Sequence, residues 1–246
     1  MDEQSYGYHE VQGNIFNSSA RALVNTVNCV GAMGKGIALE FRRRYPNMFA
    51  AYAEACQRNE LKPGVVYYSH ADTEDLQILN FAIKSHWRFP SKIQWIEACL
   101  RQFVSEYRVH GIESVAFPWM GAMNGGLPLD LIQTTMRRHL QMLPNITIEV
   151  YHFDGNATDP LFETLKEIIA VEPIRTIARS SGVSERTCQI IASLVTDQHI
   201  PSLYRLINSE GIGETSINRL YCYLSQERHA RTSKLLSPHL TQLPLL

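Results

Sequence analysis

Residues 24–41 read VNTVNCVGAMGKGIALEF. The stretch starts as an apolar strand and finishes as a helix, with a polar loop between them. That loop holds Asn28, Gly31, Gly34, Lys35 and Gly36, and the strand before it carries Asn25. Glycine lets backbone N–H groups come close to a ligand, and the helix from Ile37 offers its positive end to an anion. The loop is not a Walker A loop, because no Gly-Lys pair is followed by Ser or Thr. Nor is it the dinucleotide fingerprint, since Gly34-Lys35-Gly36 lacks the third glycine. The competing reading is a tight strand-to-helix turn with no ligand.

Outward from this stretch the pattern is α/β up to about Asp154. HEVQGNIF alternates and predicts a strand, and ALVNTVN predicts a buried one. GIALEFRRRYPNMFAAYAEAC predicts a helix interrupted near Pro46. GVVYYSH and LQILNFA predict two strands around the polar turn ADTED. SKIQWIEACLRQFVSEYRVHG predicts an amphipathic helix, with Ser91 and Gln94 at capping-box spacing and Gly111 as its stop. SVAFPWM and ITIEVYHFD predict two more strands, with the helix LPLDLIQTTMRRHLQML between them. Alternating strands and helices predict a sheet covered on both faces.

A second loop has the same construction as the first. AFPWMGAMNGGLPLDLI runs from a buried strand through Gly121, Ala122, Met123, Asn124, Gly125 and Gly126 into a helix. Two such loops after two strands of one sheet can converge at the strands' C-terminal ends, and together they would suit a diphosphate, one on each side. A third segment, LNFAIKSHWRFPS, delivers Lys84 and His86 from an apolar strand. A lysine so placed is partly desolvated, which lowers its pKa and favours the neutral amine as nucleophile or base. The competing reading is a surface lysine beside a packed Trp87, and a structural histidine at His86.

The 246 residues are 45% apolar and carry a net charge of −1, enough for a sizeable core and no general nucleic-acid coat. Five cysteines with no CxxC spacing predict reduced thiols in a cytoplasmic protein, with no zinc site. The start, MDEQSYGYHE, does not read as a secretory signal, and no apolar run is long enough to span a bilayer. The composition changes after GNATDP. The reading is a first domain over 1–157 and a small all-helical domain over 171–246, with the boundary within 158–170.

GNIF, ALVNTVNCVGAMGKGIALEF, NFAIKSHWR and PWMGAMNGGL, in this order and spacing, resemble a macrodomain of the DarG antitoxin type. That type opposes the DNA ADP-ribosyltransferase toxin DarT, and the human terminal ADP-ribose hydrolase belongs to the same branch. The likeness covers roughly residues 8–154. It implies a three-layer α/β/α fold with a mixed sheet, and an enzyme that removes ADP-ribose from thymidine in DNA. No cofactor is expected, and no metal, since the sequence shows no cluster of metal ligands. Carried over by position, Asn25, Asn28, Gly34, Lys35, Gly36 and Ile37 would hold the distal ribose and diphosphate. Gly121, Ala122, Met123, Asn124, Gly125 and Gly126 would cover the other side, Gly13, Asn14 and Ile15 would meet adenine, and Lys84 would be catalytic. Asn14 stands where many macrodomains have Asp, and Met123 where this group usually has glycine. The human hydrolase pairs its lysine with an Asp in the second loop, and no Asp occurs between Gly121 and Leu129. Two alternatives stay open: a module that binds ADP-ribose or ADP-ribosylated DNA without cleaving it, and an antitoxin acting on a DarT-like toxin by protein contact alone.

In the tail, IRTIARSSGVSERTCQIIASLV has a helix-turn-helix pattern, with Arg186 and Gln189 on the exposed start of its second helix. LYRLINSEGIGETSINRLYCYL resembles a helix-hairpin-helix, in which Gly211 and Gly213 would present N–H groups to a DNA phosphate. From Val171 onward eight Lys or Arg stand against six Asp or Glu, a slight basic excess. A plain helical bundle that binds a partner protein is the competing reading.

Overall fold

Six strands make one sheet: β1 (Gly7–Gly13), β2 (Ala22–Asn28), β3 (Val66–His70), β4 (Gln77–Lys84), β5 (Ser114–Pro118) and β6 (Thr147–Phe153). The order is β1-β6-β5-β2-β4-β3, with only β3 antiparallel to its neighbour. The computed structural model describes residues 6–71, 75–196 and 200–236. The turn expected at 71–75 and the break expected at 197–201 include residues 72–74 and 197–199, which lie outside the described residues.

Successive side chains of a strand point to opposite faces. On β2, Ala22 and Val24 enter one core while Leu23 and Val27 enter the other. On β4, Leu79, Phe81 and Ile83 share the first core while Ile78 and Ala82 share the second. The first core is closed by helices α3 (Ile93–Glu106) and α4 (Leu129–Leu140), through Ile96, Leu100, Phe103, Ile132 and Met136. Helices α1 (Gly36–Arg44) and α2 (Pro46–Gln57) close the second, through Phe41, Met48 and Tyr52. This is the three-layer α/β/α arrangement with a mixed sheet.

Three local readings are corrected. The strand expected through GNIF stops at Gly13, and Ile15–Asn17 form a 3-10 turn capped by the Asn14 side chain, which accepts from Phe16 N–H at 3.1 Å. Ser91 and Gln94 do not form a capping box: the cap position falls on Lys92, with no side-chain hydrogen bond. Ser91 instead sends its N–H to the Gly125 carbonyl at 3.0 Å, a bond that a purely local pattern cannot reveal. The third correction concerns residues 158–170, read as the boundary. The chain divides into units Met1–Asp154 and Gly155–Leu246, and α5 (Pro160–Val171) belongs to the second. Asp159 caps it, its carboxylate accepting from Leu161 N–H at 2.9 Å and Phe162 N–H at 3.3 Å, with Pro160 in the first turn.

In the second unit α5 is followed by α6 (Ile174–Ser181), α7 (Glu185–Thr196), α8 (Leu203–Ile207) and α9 (Glu214–Leu236). Leu165, Ile177, Ile191, Leu203, Leu206 and Leu220 are among the side chains of their common core. Ser184 caps α7 through Thr187 N–H at 3.2 Å.

Candidate active site

Strands β5, β2 and β4 are adjacent and parallel, so their C-terminal ends share one edge of the sheet. An open α/β sheet binds ligands beyond that edge. Residues 28–36 leave β2, residues 118–128 leave β5, and Lys84 ends β4 in register with Asn28. Each glycine loop runs into a helix with no side-chain cap: α1 starts after Lys35 and α4 after Pro128. Their first N–H groups therefore lack intrahelical partners at the positive end of the helix dipole.

The three segments meet at Asn124. The Lys84 ammonium donates to the Asn124 carbonyl at 2.5 Å. The Asn124 amide lies so close to Gly36 that a Cβ there would fall 2.5 Å from Nδ2. Gly36 also has φ +58°, a left-handed conformation that side chains disfavour. The second loop is folded tightly on itself, with Leu127 N–H donating to the Gly121 carbonyl at 3.1 Å and Ser91 bracing it from outside. Burial of Lys84 holds its ammonium below the usual lysine range. Cys29, beside Asn28, is pushed up to about 11 by burial and then by the Cys56 thiol, so it stays a protonated thiol at neutral pH.

Some expected site residues are exposed at this edge and others are not. Gly34, Lys35, Gly36, Met123, Asn124 and Gly126 are exposed, and Ile37 and Ala122 are half-buried. Met123 is 75% exposed, so its side chain points away from the loop's interior. Asn25 is fully buried, which removes it from direct contact with a ligand. Its amide donates to Asn80 at 2.9 Å and to the Met33 sulfur at 3.8 Å. Asn28 is also buried, and its amide is used by the loop itself. Its Oδ1 accepts from Val30 N–H at 3.0 Å and from Tyr52 at 3.3 Å, and its Nδ2 donates to the Ala32 carbonyl. Asn28 thus shapes the loop. Ile15 sits in the core, so only its backbone could face a ligand.

Sequence reasoning missed four residues. Tyr52 fixes the end of β2 by donating to the Asn28 carbonyl at 2.7 Å. Asn80 holds Asn25, and Ser91 holds the second loop. Phe153 ends β6 opposite Gly13 and is 48% exposed, an aromatic face beside the Gly13–Asn14 turn. Trp87, read as packed, is 52% exposed. His86 accepts the Arg88 N–H on Nδ1 at 3.1 Å, which leaves Nε2 as the nitrogen able to act on a substrate.

In the second unit Arg186 and Gln189 are both exposed near the start of α7. Gly211, at φ +89°, and Gly213 lie in the hairpin between α8 and α9, anchored by buried Ile212. Among the described residues, no group of three or more His, Cys, Asp or Glu could hold a metal ion, and no helix is long and apolar enough to cross a membrane.

The strand order and the loops gathered at one sheet edge place the first unit among ligand-binding α/β domains. The Macro domain family model matches residues 24–136. The macrodomain of Mycobacterium tuberculosis DarG is 41% identical, with a TM-score of 0.58 over 60% of this chain and 98% of that one. Thermosipho africanus DarTG in complex with ADP-ribose is 30% identical, with a TM-score of 0.55 over 59% of this chain and 42% of that one. The DNA ADP-ribosyl glycohydrolase of M. tuberculosis is 43% identical over 149 residues, 59% of this chain and 42% of that protein. The chain belongs to the macrodomain family. It spans about two-fifths of the length of the glycohydrolases it matches.

Proposed function

We propose that this chain is a hydrolase that removes ADP-ribose from thymidine in DNA, and so acts as antitoxin to a DarT-like transferase. The observation that carries the reading is Lys84: a partly desolvated amine held on Asn124, where the two glycine loops meet at the start of α1. The diphosphate would lie between residues 34–37 and 121–126, on the backbone N–H groups of the two loops. Adenine would lie over Gly13, Asn14 and the backbone of Ile15, with Phe153 as a stacking face. In that arrangement the distal ribose would lie at Lys84, whose neutral amine would leave the Asn124 carbonyl and act in one of two ways: as a nucleophile that displaces the thymine nitrogen from the anomeric carbon, with water then releasing ADP-ribose, or as a base that takes a proton from the water that displaces it.

The test is an oligonucleotide bearing ADP-ribose on thymidine. Free ADP-ribose and unmodified oligonucleotide are the expected products. Tight binding without release would favour a non-catalytic module, and neutralisation of a toxin without binding would favour protein contact alone. In parallel, ADP-ribose at about one hundred times its Kd should stabilise the fold by ~2.7 kcal/mol. AMP at the same concentration should shift the melting temperature less, because it lacks the second phosphate and the distal ribose. Equal shifts would remove the two-loop assignment.

For the helical unit we propose contact with DNA through Arg186 and Gln189 on α7 and the Gly211–Gly213 hairpin. Supporting it are the two exposed side chains on one helix and the glycine turn at the start of the 23-residue α9. Arg186→Ala with Gln189→Ala should weaken duplex binding by the full chain about tenfold at low salt. Unchanged binding, measured by fluorescence anisotropy, would assign the unit to another partner.

A further inference from the structure

One side chain of the second loop takes no part in holding the loop together. Between Gly121 and Gly126 stand Ala122, Met123, Asn124 and Gly125, so Met123 is the one long apolar side chain of the turn. It is 75% exposed and adds nothing to the core. Other groups shape the loop: Leu127 N–H on the Gly121 carbonyl, Ser91 N–H on the Gly125 carbonyl, and Lys84 on the Asn124 carbonyl. Val109 and Met142 are also exposed apolar side chains of the first unit, but they lie elsewhere. They follow the ends of α3 and α4 and precede the starts of β5 and β6, at the sheet edge opposite the site. Met123 stands at the site edge.

Its place in the chain puts it beside the reacting bond. Met123 is joined to Asn124, whose carbonyl accepts from the Lys84 ammonium at 2.5 Å. One trans peptide links the two residues, so the Met123 Cα lies within ~6 Å of that oxygen. The carbon under attack sits about 3 Å from the group that attacks it, and the departing base is bonded to that carbon. The base therefore falls within reach of a long, unbranched thioether. The neighbours of Met123 are otherwise engaged: the Asn124 amide lies against Gly36, and Gly125 is buried. The chemistry of the side chain says what it can read. A thioether has no donor and is only a weak acceptor, so it ignores the polar edge of a base. It packs on an aromatic ring, and an apolar group of this kind suits the methyl of thymine. That methyl is what uracil lacks.

We propose that Met123 is a specificity residue: its side chain covers the base joined to the anomeric carbon and gives the thymine methyl an apolar partner, so that the site prefers modified thymidine to modified deoxyuridine. The proposal rests on the reading of the Lys84 edge as an ADP-ribosyl-DNA site. The backbone of the second loop keeps the diphosphate, and the side chain, turned outward, takes the base.

The test measures affinity in the full chain carrying Lys84→Ala, so that the probes persist. They are ADP-ribose, ADP-ribosyl-thymidine and ADP-ribosyl-deoxyuridine, the last two joined through the same ring nitrogen. The thymidine probe should bind about fourfold tighter than the deoxyuridine probe, the scale of one methyl group taken from water. Adding Met123→Ala should bring the two probes close to equal affinity and leave the Kd for ADP-ribose within about twofold, while Met123→Leu should keep most of the preference. Equal affinities in the parent overturn the contact. So does a preference that survives Met123→Ala, which would set the methyl against another side chain. An equal loss on all three probes overturns it too, because it would make Met123 part of the loop's frame. A parent that binds no ADP-ribose removes the reading of the pocket as well, whereas one that binds ADP-ribose without preferring thymidine removes the Met123 contact alone.

Discussion

Lys84→Ala should lower release of ADP-ribose from modified DNA by roughly a thousandfold, the scale on which a positioned nucleophile or base acts. Its affinity for ADP-ribose should stay within about twofold, because the lysine stands at the bond and the loops hold the diphosphate. Single-turnover release and calorimetry check the two halves. Lys84→Arg should not rescue turnover, since a guanidinium stays charged throughout the working pH range. The direction of the pH profile follows from the same site. Burial lowers the Lys84 pKa, so the neutral amine gains population as pH rises toward that pKa. The native rate should climb with pH and level off below the range of a free lysine. A native rate in Lys84→Ala would move the chemistry to the free nitrogen of His86.

The other large effect concerns Gly125. A Cβ at this position would fall 2.3 Å from the Gly121 carbonyl oxygen and 2.5 Å from the Gly121 Cα. Both are rigid backbone, so the loop must open to admit even alanine. Opening it displaces the Gly125 carbonyl from Ser91 N–H and the Asn124 carbonyl from Lys84. Gly125→Ala should therefore weaken ADP-ribose binding about a hundredfold, or ~2.7 kcal/mol. A melt without ligand establishes that the variant folds, and titration with ADP-ribose gives the effect. Wild-type affinity in a folded variant would show that the second loop does not touch the diphosphate.

Much of the first unit was legible because its signals are local. The apolar runs of β2 and β4 and the glycines after β2 and β5 each declare a strand end and a turn within a few residues. Lys84 could be read in the same way, from an apolar strand that ends on a cation. Where reading failed, the deciding partner was distant in sequence. Asn25 is read as facing a ligand, yet it is turned inward by Asn80, 55 positions away. Ser91 matched a capping pattern, yet its N–H is committed to Gly125. Residues 158–170 are a different case. Asp159-Pro160 before an apolar run is a helix start signal within the sequence itself, and it puts α5 inside the stretch read as the boundary.

The buried amide pair between β2 and β4 carries a mechanical consequence. Asn25 and Asn80 stand directly opposite each other in the ladder and share a side-chain hydrogen bond, so neither can move along its strand without leaving an amide stranded in the core. Sliding β4 by one residue would carry Lys84 ~3.3 Å along the strand and turn its side chain to the opposite face of the sheet. The pair thus acts as a pin near the middle of the sheet. It sets the distance and the direction from which the lysine reaches the second loop, at a place no ligand ever touches.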